Sequence, residues 1–119
     1  MEAAVPYLLL ILEEGEDRRT RSEEEGRDYY ERMVRFGESL KARGIHRASD
    51  ALKTDAIRVA VRDGRQSVVD GPFAEAKEIV GGFFLLDCGK AEALALAGEC
   101  PAAEWATVEV REVGRCWEE

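Results

Sequence analysis

Val5-Pro6-Tyr7-Leu8-Leu9-Leu10-Ile11-Leu12 is apolar without a break and then stops at Glu13-Glu14-Gly15-Glu16-Asp17. A run of this length suits a strand, and the lack of polar alternation predicts that both of its faces are covered. A second such run, Gly81-Gly82-Phe83-Phe84-Leu85-Leu86-Asp87-Cys88, lies in the other half of the chain. Each is followed by a helical pattern. After the first run and a charged loop expected through Thr20, Ser22 with Glu25 three residues on forms a capping box. Tyr29, Met33, Phe36 and Leu40 then make one apolar stripe, and Gly44 supplies a stop, which predicts a helix over 22–43. After the second run, the Ala/Leu/Glu-rich stretch from Lys90 to Glu99 predicts another helix, ended by Cys100-Pro101.

Alternating stretches complete the order. Residues 45–54 are irregular, whereas Ile57, Val59 and Val61 alternate with Arg58, Ala60 and Arg62 as a strand with one wet face. Asp63-Gly64 signals a hairpin turn into a partner strand from Gln66 to Val69, and Asp70-Gly71-Pro72 breaks it. A short helical turn is expected over 73–79. Ala106, Val108 and Val110 mark the last strand, and Trp117 lies in an acidic tail. Two strand–helix–strand halves with an inserted hairpin fit a ferredoxin-like α+β sandwich, a single domain over 1–113 with a tail at 114–119. Two helices cover only one face of such a sheet. The other apolar face is therefore expected to pack on a second copy of the chain, giving a homodimer packed sheet to sheet around a cavity.

Composition narrows the function classes. The 119 residues are 45% hydrophobic and 35% charged, as in a globular protein of one domain. With 17 Lys+Arg against 25 Asp+Glu the formal net charge is −8, which disfavours nucleic acid and anionic membrane surfaces as partners. No apolar run approaches the roughly 20 residues of a membrane-spanning helix, and the first residues lack a basic leader, so a cytoplasmic location is expected. Cys88, Cys100 and Cys116 form no CxxC, and with one histidine they make no zinc spacing. No GxGxxG, P-loop or GxSxG is present, so neither a metal nor a cofactor is expected.

The most distinctive stretch is Asp70-Gly71-Pro72-Phe73-Ala74-Glu75-Ala76-Lys77-Glu78, followed by Gly81-Gly82-Phe83. Gly71 is free to take positive φ and Pro72 fixes the next φ, so the turn can aim Asp70 into a pocket with Phe73 as its wall. The same residues also read as an Asx-type turn with Phe73 as a core anchor. This stretch resembles the signature of the DGPF-domain branch of the YCII-related proteins. The resemblance extends from Tyr7 through Val113 and includes Arg62-Asp63-Gly64, Glu99-Cys100-Pro101-Ala102 and Val108-Glu109-Val110-Arg111. It implies a dimeric α/β barrel of ferredoxin-like protomers. It also implies small-molecule chemistry from a His/Asp-containing cleft, as in a related lactone dehalogenase, or a regulatory role beside extracytoplasmic-function sigma factors. Related sequences often carry a basic residue where this chain has Ala60, and the stretch from His46 to Thr54 departs from their pattern.

His46 is the only histidine, so any imidazole acid–base step must use it. With Asp70 beside it as orienter it would serve as a general base; otherwise it is a surface residue of a basic loop. Lys77 is a candidate anion holder and Glu75 a second acid–base group, or both are solvated charge on the turn. Ser49 and Asp50 are candidates for the cleft lining. The expectation is a protein that binds a small organic ligand at the Asp70-to-Phe73 turn, with cofactor-independent proton transfer or elimination on a small acid or lactone. The alternative is a non-catalytic accessory protein acting through its dimer surface.

Overall fold

The computed structural model describes residues 5–71 and 78–117. In chain order the elements are β1 (Tyr7–Glu14), α1 (Gly15–Thr20), α2 (Glu23–Ala42), β2 (His46–Ala51), β3 (Ile57–Arg62), β4 (Arg65–Asp70), β5 (Glu78–Leu86), α3 (Lys90–Glu99), a 3-10 turn (Pro101–Glu104) and β6 (Thr107–Glu112). The fold is α+β, with two antiparallel sheets: four strands in the order β2-β5-β1-β6, and the two-stranded ribbon β3-β4.

The longest helix begins and ends at residues suited to capping. Ser22 accepts a hydrogen bond from the Glu25 backbone N–H at 3.1 Å and caps α2. At the other end Gly44 takes φ +74°, and the Ile45 N–H returns to the Leu40 carbonyl. α2 and α3 lie on one face of the larger sheet. Leu9, Ile11, Phe84 and Leu86 from that face pack with Phe36, Leu40, Leu96 and Cys100 into the buried core. Phe36 meets Phe84 edge-to-face with ring centroids 5.2 Å apart. On the opposite face the register places Leu8 beside Leu85, and Leu10 beside Phe83, all only half-buried. The central strands are thus apolar on both faces, as the sequence predicts, but only one face is covered within the chain.

Three local expectations are corrected. The charged segment after Leu12 is not a loop: β1 runs on through Glu14, and α1 follows with acidic residues in its first turn and basic ones in its last, matching the helix dipole. The irregular stretch after Gly44 contains β2, which supplies an edge of the main sheet. The alternating 57–62 segment is not in that sheet; among the described residues it pairs with β4 alone. The expected helical turn over 73–79 lies largely outside the described residues, and Glu78 and Ile79 belong to β5.

Candidate functional site

The alternation of β1 does not end with its apolar residues. Leu9, Ile11 and Glu13 point to the helix-covered face, and Glu13 is buried there at 6% exposure. An ionised carboxylate at such a position needs partners. α1 and its C-cap residue return the chain over the strand end and supply them. Arg18 Nη1 donates to Glu13 Oε2 at 3.0 Å, and Arg21 approaches Glu13 Oε1 at 3.4 Å through both Nη1 and Nη2. Gly81 makes room for this cluster, because a Cβ there would overlap the Glu13 carboxylate. It sits at a bulge, where Ile11 pairs with Gly82 and Leu12 with Val80.

Gly81 and Gly82 leave bare backbone where the sheet would otherwise carry side chains. Between that floor and α2 lies a cavity of about 700 Å³. Ile11 and Phe84 line it from the sheet, Met33 and Gly37 from α2, and the Glu13–Arg18–Arg21 cluster forms part of the same lining. Tyr29 forms the wall beside the cluster. Its ring stacks on Trp105 at 3.8 Å with 3° between planes, and the Arg21 guanidinium sits 4.8 Å from its centroid on the other side. The ladder continues through Arg32 over Trp105 to Glu104. Arg21 also pairs with Glu25 at 3.8 Å, so Arg18 is the guanidinium that Glu13 alone holds. The remaining N–H groups of Arg18 have no partner among the described residues. An apolar, aromatic-walled cavity with spare guanidinium donors in its lining suits a small organic anion.

The residues singled out from the sequence do not converge on one point. His46 lies at the start of β2 with Nε2 2.7 Å from Ser49 Oγ, and Ser49 lines the cavity. Asp50, which also borders the cavity, pairs in register with Phe83. Asp70 closes β4 in the separate ribbon, where it borders a shallow depression with Asp55, Ala56 and Gly71. No hydrogen bond or ion pair joins His46 to Asp70 among the described residues. Phe73, Glu75 and Lys77 lie outside those residues. Glu13, Arg18 and Arg21 were not read from the sequence as site residues. Their signal was the continuation of the Leu9–Ile11 alternation into an acidic position, with arginines five and eight residues later.

Burial pushes the Cys100 thiol up to about 11, and burial also raises Cys88, so neither is a thiolate at neutral pH. Among the described residues no group of three or more His, Cys, Asp or Glu side chains is placed to hold a metal ion. No helix among them is long and apolar enough to cross a membrane.

The family model of the YCII-related domain matches residues 6–116. The chain belongs to the YCII-related family. The match spans every element of the fold, including the separate ribbon. A search of curated proteins finds no match.

Proposed function

We propose that this YCII-related protein binds a small organic acid in the cavity between α2 and the sheet. The observation that carries the reading is the buried Glu13 with its two arginines in the lining of an apolar, Tyr29-walled cavity. The ligand's anionic group pairs with Arg18, and its body lies on Phe84, Met33 and the bare backbone of Gly81 and Gly82. Asp70 and Gly71 themselves border the depression at the base of the ribbon. Thermal-shift titrations with small aromatic and aliphatic acids, each beside its neutral amide, test the reading. The acids should stabilise the protein and the amides should not. Arg18→Gln should lower acid affinity by about tenfold or more, the scale of one charge-assisted hydrogen bond, and narrow the acid-to-amide ratio. An unchanged ratio would exclude Arg18 as the anion holder.

A second reading, cofactor-independent proton transfer, is favoured by the 2.7 Å contact of His46 with the cavity-lining Ser49. His46 is then the base, with Ser49 in place of Asp70 orienting its ring. Turnover of small acids or lactones should be lost in His46→Ala, fall in Ser49→Ala and persist in Asp70→Asn. The opposite pattern would restore the His46–Asp70 pair.

We further infer that the protomer is a ferredoxin-like unit of a dimeric α/β barrel. The order β2-β5-β1-β6, built from two β–α–β halves, supports the first part. The half-buried Leu8, Leu10, Phe83 and Leu85 on the uncovered face support the second.

A further inference from the structure

The cavity that holds the Glu13 cluster has a second polar feature further along β5. The Arg18 guanidinium lies beside Gly81, where its Nη1 would be 3.0 Å from an added Cβ. Ser49 pairs in register with Phe84 of the same strand. Phe84 is buried in the core beneath α2, so the directly paired Ser49 faces that side of the sheet, and both residues line the cavity. Three residues of strand separate Gly81 from Phe84, roughly 10 Å at the usual rise. Between the two points the floor carries no large side chain. It is formed by Gly82 and Ala51, which pair with each other and both line the cavity.

The two points differ in chemistry. Ser49 Oγ lies 2.7 Å from His46 Nε2, a contact that uses one of its hydrogen-bonding directions. A hydroxyl has one donor and two acceptor positions, so capacity for a further partner remains. Whichever of the two atoms holds the shared proton, a ligand hydroxyl can answer Ser49, because it both donates and accepts. The charged side chains that the end of α2 brings to this part of the lining are Glu38 and Lys41. They cancel, so a second carboxylate would give up hydration without meeting net positive charge, and an ammonium would gain no net attraction. Asp50 pairs with Phe83 and so alternates to the other face of the sheet. We propose that the ligand is an elongated hydroxy acid. Its carboxylate pairs with Arg18, its hydroxyl hydrogen-bonds to Ser49 Oγ, and its apolar body crosses Gly82 and Ala51 over a span of about 10 Å. This rests on the organic-acid reading above and adds the length and the second functional group of the ligand.

Calorimetric titration with ω-hydroxybutanoate, ω-hydroxyoctanoate and ω-hydroxydodecanoate, each beside the plain acid and the diacid of equal length, tests the proposal. Hydroxyoctanoate should bind tightest, about fivefold tighter than octanoate, the scale of one neutral hydrogen bond. The diacid should bind more weakly than either. Ser49→Ala should erase the fivefold preference and leave octanoate unchanged, whereas Arg18→Gln should weaken both ligands together. Ala51→Leu, on the path between the two groups, should weaken hydroxyoctanoate and spare hydroxybutanoate. Equal affinities for hydroxyoctanoate and octanoate, both lowered by Arg18→Gln, would overturn the hydroxyl contact and leave the organic-acid reading standing. Tightest binding of the diacid would overturn it in the same way. Affinities that ignore Arg18→Gln altogether would overturn both.

Discussion

Truncating the Glu13 carboxylate to Ala leaves two guanidiniums facing an apolar cavity. Because Arg18 and Arg21 lie near enough to the surface to reach water, the loss should be about 2 kcal/mol, below the range for fully buried pairs. Urea unfolding with an unchanged slope measures it. Gly81→Ala should lower stability by a similar amount, because its Cβ displaces the same carboxylate. The Glu13→Ala/Gly81→Ala double variant should then fall well short of the sum, whereas additive losses would separate the two residues. Gly82→Ala should be worse, since a Cβ there comes within 2.9 Å of the Asp50 carbonyl oxygen, which is backbone and cannot swing aside. The cysteines give a pH test. The folded-state value of Cys100 lies above that of an unfolded thiol, so the unfolded chain holds fewer protons between about pH 9 and 11. Stability should fall as pH rises through that window, and Cys100→Ala should flatten the fall. Exposed Cys116 should meanwhile be the one thiol that reacts quickly in the native protein. At this scale the sequence made His46 and Ser49 visible because each is chemically distinctive. Glu13 was hidden by its neighbours, since a carboxylate inside the run Glu13-Glu14-Gly15-Glu16-Asp17 looks solvated until the strand is known to continue beneath it.

Capping and turn chemistry decide the elements. Ser22→Ala should remove the hydrogen bond to the Glu25 N–H and destabilise the protein by about 1 kcal/mol in thermal or urea unfolding. In the ribbon turn Asp63 and Gly64 both take positive φ, at 53° and 75°, as a two-residue hairpin turn requires. Gly64→Ala should therefore loosen β3–β4, seen as faster amide exchange in the ribbon with little change in the main sheet. The legible elements were those with a local mechanism. α2 had a cap, a stripe and a glycine stop; α3 had composition and a proline beyond its end; the ribbon had alternation and Asp-Gly. β2 had none of these. His46-Arg47-Ala48-Ser49-Asp50-Ala51 carries little apolar signal, and the register shift between His46 and Ala48 disrupts its alternation. It is a strand because β5 offers it hydrogen bonds, a cause that lies more than thirty residues away. The ribbon is the converse case, with strong strand chemistry and no place in the main sheet.

On the scale of the whole molecule, one helix-covered sheet face holds both the core and the cavity, and the second face and the ribbon hold the apolar surface left over. That division was legible from two observations: central strands apolar on both faces, and only two long helices to cover them. The cavity was not legible. It depends on Gly81 and Gly82 lying opposite α2 and on α1 and its C-cap bringing Arg18 and Arg21 back to Glu13, which are tertiary facts. The stack of Tyr29 on Trp105 gives the cavity wall a reporter. Tyr29→Ala should expose Trp105, shift its emission to the red and weaken ligand binding together. The central claim is that the ligand lies between α2 and the sheet. The most direct measurement is an amide and arginine side-chain NMR titration with the best-binding acid from the thermal-shift panel. The account predicts shifts at Gly81, Gly82, Ser49 and the Nε–H groups of Arg18 and Arg21, with the ribbon unmoved. Shifts centred on Asp55, Asp70 and Gly71 instead would contradict it and return the site to the turn at the base of the ribbon.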